Sequence, residues 1–189
     1  DGMGRVMSTT ARQVGSTDTD VSTIHTSYAY LDSGQQIVTS TDAGMTRTQT
    51  RNAAGQLLSV SEVGNAGSGT QTRTQLNYYD SAGQLRASED AAGGRTYFFY
   101  DAKGRLEATV DATGAVSRTY YDGADRVVGT RQYANRLTTT SWLVSGQVVP
   151  TQLDSLGIVD DLAADRITIR TYDAAGRLLT RTDTDPSAI

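Results

Sequence analysis

The 189 residues carry 17 basic against 21 acidic side chains, a net charge of -4, with 37% hydrophobic residues, no Cys and one His. That balance excludes a basic nucleic-acid surface, a cationic membrane helix, a disulfide framework, a thiolate metal site and a His-built zinc centre. No apolar run nears the ~20 residues of a membrane span, and the opening residues lack the apolar core of a signal peptide.

Ten Tyr and 19 Gly, together with many Thr, suit short strands with half-wet faces joined by turns. Sixteen of the 17 basic residues are Arg, Lys103 being the only Lys, so pairing of guanidinium groups with turn carboxylates is the expected electrostatic feature.

In chain order, the first turn signal is Asp1 to Gly4, followed by Arg5-Val6. Residues 15–20 predict a loop, and residues 22–30, which include His25, predict a strand. Asn52 to Gly55, followed by Gln56-Leu57, repeats the opening signal, and the Gly-rich residues 64–69 predict a lengthened hairpin loop. The central block is regular. Asp80, Asp101 and Asp122 stand 21 apart, each preceded by Tyr (Tyr79, Tyr100, Tyr121), while Asp90 and Asp111 share the period at an offset. Gly83, Gly93, Gly104 and Gly114 follow three residues after their Asp. An Asp at the first turn position accepts from backbone N–H groups just ahead of it, and Gly supplies the positive φ that closes the turn. One period is therefore two antiparallel strands of about 5–6 residues with two turns.

From Thr138 to Arg170 the pattern lapses. Pro150 interrupts it, and Ile158, Val159 and Leu162 predict the face of one short helical turn. Residues 138–170 are thus expected to be an insertion or decorated hairpin within the array, which covers 1–137 and resumes over 171–189 with Tyr172, Asp173, Gly176 and Arg177. Arg105, Arg126 and Arg177 recur after their turns and predict a ladder to turn carboxylates or to carbonyls of the neighbouring hairpin. Tyr79, Tyr100, Tyr121 and Tyr172 predict an aromatic row along one face, which suits a structural ladder or a sugar-binding row. Trp142 either anchors the insertion on the sheet or offers a contact to a partner.

Eighteen Asp and three Glu invite acid–base or Ca²⁺ chemistry, but most open a turn and have a structural task there. Asp160 and Asp161 lie outside the turn pattern. Asp18 with Asp20 and Asp183 with Asp185 lack the rest of an EF-hand loop; His25 has no nucleophile elbow; and residues 64–69 match no nucleotide-binding loop. The sequence assigns no catalytic residue, metal ligand or cofactor.

The run Tyr100-Asp101-Ala102-Lys103-Gly104-Arg105-Leu106, with Asp111 to Gly114 and Tyr120-Tyr121-Asp122 behind it, resembles the YD repeat of bacterial RHS proteins, relatives of Tc-toxin shell components and teneurins. The resemblance is strongest over 76–137 and 170–182. It implies an all-β fold of tandem antiparallel hairpins in a spiralling open sheet. It also implies a non-catalytic structural segment of a large secreted or cell-surface bacterial protein, forming the wall of a shell that encapsulates or displays an effector domain. The implied partners are the remaining repeats of the parent chain and that effector. Open sheet edges make self-association a further expectation. Toxin members of the family carry a Pro-, Gly- and Asp-rich core with a self-cleaving Asp; Asp185-Pro186 is an isolated pair, so cleavage is not assigned. The alternative function is an adhesin-like recognition module that binds glycan or protein through the Tyr row or the 138–170 insertion.

Overall fold

A computed structural model of the chain describes residues 2–14, 21–42, 44–66, 69–138, 142–149 and 152–184, the side chains of 12–14, 21–23 and 65–66 excepted. Asp1, the 15–20 loop, Pro150 and the Asp185-Pro186 pair lie outside the described residues. Thirteen strands form one open antiparallel sheet in chain order. They are β1 Ser8–Val14, β2 Val21–Tyr30, β3 Gln36–Asp42, β4 Met45–Arg51, β5 Leu57–Ala66, β6 Gly69–Tyr79, β7 Leu85–Glu89, β8 Arg95–Tyr100, β9 Leu106–Val110, β10 Val116–Tyr121, β11 Val127–Gln132, β14 Arg166–Tyr172 and β15 Leu178–Thr184. A separate ribbon pairs β12 Leu143–Val144 with β13 Gln147–Val148. The expected all-β hairpin array with open ends is what the chain forms.

The chain divides into two compact units: Asp1–Asn77 with Glu89–Gly93, and Tyr78–Ser88 with Gly94–Ile189. In the first unit the strands are longer than the repeat predicts. β5 and β6 have 10 and 11 residues, and their ladder continues through Asn65↔Thr70 to Ala66↔Gly69. Residues 64–66 and 69 are therefore strand, not the lengthened loop their Gly content suggests, because cross-strand pairing outweighs the weak strand preference of Gly. Among the described residues only Val60 is a buried hydrophobic side chain here. In place of a core, hydroxyls meet directly across the ladder: Thr26 with Ser40 at 3.0 Å, Thr39 with Thr48 at 3.4 Å, and Thr41 with Thr46 at 3.3 Å. Each pair is a register pair, the arrangement that lets short polar side chains stabilise a wet sheet.

The second unit has a core on one face. Register stacks Tyr97, Val110 and Val116 in one row, and Phe99, Ala108, Arg118 and Arg131 in the next. After β11 the chain leaves the sheet at Tyr133 and returns at Arg166, where β14 begins. The excursion lies over the apolar rows. Trp142 packs its ring 4.9 Å from that of Tyr97 and 6.1 Å from that of Phe99, and Val148, Leu153, Leu156 and Ile158 join the same cluster. Among the described residues the one helical turn is a 3₁₀ turn at Leu153–Leu156. Val159 and Leu162, 62% and 71% exposed, do not form the helical face expected of them. Leu153 turns inward because the excursion must present an apolar side to Phe99 and Val110, a demand that no local periodicity encodes.

Candidate functional site

The turns predicted from Asp and Gly are built as one motif. At Asp101 the backbone C=O accepts from Gly104 N–H at 2.9 Å, and Asp101 N–H donates to Arg105 C=O at 3.0 Å. The Asp101 carboxylate oxygen Oδ1 accepts from the N–H groups of Lys103 (2.9 Å) and Arg105 (3.0 Å). This is a three-residue hairpin loop closed by a residue in the left-handed region, Gly104 at φ 79°. The same backbone bonds recur at Asn52, Asp80, Asp111, Asp122 and Asp173, and the Asp90 C=O likewise accepts from Gly93 N–H. Leu31 to Gly34 closes in the same way without a carboxylate, which is why the Asp-based pattern passes over it. At the Asp122 turn the closing residue is Asp125, at φ 64°. Its carboxylate receives Arg105 Nη1 at 2.6 Å and Lys103 Nζ at 3.3 Å, an ion-pair cluster that offsets the backbone strain of a non-glycine residue there.

The two edges of the sheet differ. At the Asn52, Asp101, Asp122 and Asp173 turns the register slips by one residue: Phe99 faces Ala108 but Tyr100 faces Leu106, leaving Glu107 as a bulge, whereas the Leu31 turn on the same edge keeps its register at Tyr30↔Gln36. Leu58, Val128 and Leu179 are the equivalent extra residues. Turns on the opposite edge show no slip, as Val110↔Val116 and Asp42↔Met45 illustrate. Beyond each bulge the ladder to the following strand stops early, at Ser59↔Leu76, Ala108↔Arg118 and Gly129↔Ile169. The carbonyl left at the strand start is then capped by a side chain of the next hairpin. Asn77 Nδ2 donates to Leu57 C=O (3.0 Å), Tyr100 Oη to Leu85 C=O (2.9 Å), Tyr121 Oη to Leu106 C=O (2.8 Å) and Tyr172 Oη to Val127 C=O (2.8 Å).

The arginines complete the link. Arg105 Nε donates to Asp101 Oδ2 at 2.7 Å, its Nη1 reaches Asp122 C=O at 3.1 Å, and its guanidinium lies 4.5 Å from the centre of the Tyr121 ring. Arg126 repeats this on Asp122 Oδ2 (2.7 Å), Asp173 C=O (3.3 Å) and the Tyr172 ring (4.8 Å). Arg177 holds Asp173 Oδ2 at 2.7 Å. The tyrosines are thus joined through interleaved guanidinium groups, each Arg on the Tyr of the following repeat. Strand alternation turns Tyr100, Tyr121 and Tyr172 to the face opposite the Phe99 core row.

Hydrogen bonds lower the pKa of these carboxyls: the Arg105 side chain acts first on Asp101, and the backbone N–H groups of Arg126 and Arg177 act first on Asp122 and Asp173. A folded-state pKa below the unfolded value contributes stability that is full above the unfolded pKa and is lost as pH falls through the folded one. Stability is therefore expected to hold level down to about pH 4 and to fall steeply only below it. Urea midpoints measured along that range check this, and the triple variant Asp101→Asn, Asp122→Asn, Asp173→Asn flattens the fall.

Sequence reasoning misses a second polar cluster. Asp165 is fully buried, and its carboxylate accepts from Arg131 Nε (2.7 Å), Ala134 N–H (2.8 Å) and Asp161 N–H (3.1 Å). Asp160 adds a contact to Arg131 Nη1 at 3.1 Å. Burial by itself would raise the Asp165 pKa, and the three donors outweigh it and hold the carboxyl ionised. This cluster fastens the end of the excursion to β11. His25 sits exposed on β2, 3.4 Å from the Thr10 hydroxyl, and among the described residues no three His, Asp or Glu side chains converge.

A family model described as RHS Repeat matches residues 79–116. Among solved structures, the chain is similar to a Photorhabdus luminescens Tc holotoxin pore at 16% identity and TM-score 0.28, over 84% of this chain and 12% of that one. It is also similar to TcdB2-TccC3 at 16% identity and TM-score 0.29, over 86% and 13%, and to TcdB2-TccC3-Cdc42 at 15% identity and TM-score 0.22, over 94% and 16%. The chain thus spans about an eighth of the length of the first two. No curated protein matches it.

Proposed function

We propose, from the premise that this chain is an RHS-repeat protein, that it is a non-catalytic length of wall in a large secreted or cell-surface bacterial protein, enclosing or displaying an effector domain. The observation that carries this reading is the commitment of the turn side chains to their neighbours. Arg105 and Arg126 each bind their own turn and the next, and Tyr100, Tyr121 and Tyr172 each cap a carbonyl of the preceding repeat. Residues spent in this way propagate one hairpin's geometry into the next, which is what a repeat wall needs and a reactive site does not. Bulges on one edge alone add to this, since a bulge bends and twists its strand locally and repetition on the same side makes the bend accumulate. Among the described residues no helix is long and apolar enough to cross a membrane.

Electron microscopy of the whole parent protein tests the reading, together with protease digestion of its effector. A hollow β-walled particle with a digestion-resistant effector is expected. A solid or filamentous particle, or an effector cut as fast as the free domain, overturns the wall reading. So does glycan binding that Trp142→Ala abolishes while the fold stays intact, because recognition would then be the function.

A further inference from the structure

We propose that the crevice between the Asp80 corner and the tip of the β12–β13 ribbon binds an α-amino acid, its ammonium group on Asp80 and its carboxylate on Arg86. The inference goes beyond the wall reading and does not rest on it. Asp80 differs from the other Tyr-Asp corners in one respect. Asp101, Asp122 and Asp173 each receive, on Oδ2, the Nε of an Arg four residues on, at 2.7 Å. Four residues after Asp80 stands Gln84, whose backbone N–H donates to Asp80 Oδ1 at 2.9 Å while its side-chain amide lies towards Gly104 of the next corner. Asp80 Oδ2 instead lies 3.7 Å from Arg86 Nη1, beyond hydrogen-bond reach.

Arg86 is 9% exposed, with its Nε donating to Phe98 C=O at 3.1 Å and its guanidinium 5.6 Å from the centre of the Phe99 ring. Asp80 and Arg86 line a crevice of about 220 Å³, together with Tyr78, Ser81, Gln147 and Val148. The ribbon tip that closes it holds Ser145 at φ 52°, a strained conformation for a residue other than glycine. A lone anion drawn to Arg86 meets the Asp80 carboxylate, and a lone cation drawn to Asp80 meets the guanidinium. A ligand carrying both charges satisfies both groups. Their 3.7 Å separation selects an ammonium and a carboxylate attached to one carbon atom, as in an α-amino acid. Tyr78 and Val148 offer its side chain an apolar wall.

Glycine titrated into the ¹⁵N-labelled full chain tests this. Saturable amide shifts are expected at residues 78–81, 86 and 146–148, and L-alanine should reproduce them. Acetate and methylammonium, which lack one charge, and γ-aminobutyrate, whose charges lie further apart, are expected to bind at least about 10-fold more weakly. Asp80→Asn should weaken glycine binding by about 10-fold or more yet keep the corner. Asn52 already makes such a corner, its Oδ1 accepting from Ala54 N–H and Gln56 N–H, both at 3.0 Å. Gln84→Arg, which supplies Asp80 with the guanidinium found at the other corners, should abolish binding without lowering the melting temperature. No saturable shift with glycine overturns the proposal. So does glycerol, acetate or methylammonium binding as tightly as glycine, or unchanged glycine binding by Asp80→Asn.

Discussion

Asp165→Ala is expected to destabilise the chain by about 3–5 kcal/mol, the cost of removing one member of a buried ion pair. The loss leaves Arg131, 8% exposed, with only the exposed Asp160 as a carboxylate partner, and strips the N–H groups of Ala134 and Asp161 of their acceptor. Because these groups fasten the excursion, the variant should also loosen its cover over Phe99 and Tyr97, and Trp142 fluorescence should shift to the red before the sheet unfolds. Urea denaturation followed by Trp emission and by far-ultraviolet circular dichroism measures both effects. Coincident transitions with a loss under about 1 kcal/mol would show that the pair does not hold the excursion. Replacing Arg131 and Asp165 together by Met and Leu is expected to recover most of the loss, because the cost lies in the stranded charge.

Gly114→Ala is expected to cost about 3 kcal/mol or more, and Gly93→Ala only about 1–2 kcal/mol, although the two glycines close equivalent turns at φ 81° and 82°. Positive φ alone sets the smaller cost. At Gly93 an added methyl group meets nothing within 4 Å, whereas at Gly114 it falls 2.0 Å from the backbone oxygen of Leu137. That segment is held there by the bond from Leu137 N–H to Gly114 C=O at 2.8 Å, so neither side can retreat without losing it. Melting temperatures of the two variants check the difference, and equal shifts would show that the segment around Leu137 is not packed on the turn.

The corner residues were legible because their mechanism is local. An Asp that accepts from N–H groups two and four residues on, and a Gly at the left-handed position, act within five residues, so Asp101 to Arg105 can be read without knowing what lies beside it. The Arg105 contact to a neighbouring carbonyl was within reach for the same reason, since the period places Asp122 one repeat away. The bulges were not foreseen, although the doublets Leu57-Leu58, Val127-Val128 and Leu178-Leu179 break strand alternation and are their trace in the sequence. The hydroxyl caps depend on those bulges, and the expected Tyr row became an alternation of Arg and Tyr once the strands were offset.

The turns marked by Asp or Asn with Gly, the strand number within the repeat and the antiparallel order were determined by the sequence alone, because each follows from residues that interact inside one hairpin. Which face is covered was decided only by tertiary structure. Trp142, Val148 and Leu153 reach Tyr97 and Phe99 across more than a full repeat, and Asp165 meets Arg131 34 residues away. The free energy of such contacts depends on how the chain closes a long loop, and that information is spread over many residues rather than written at any one of them.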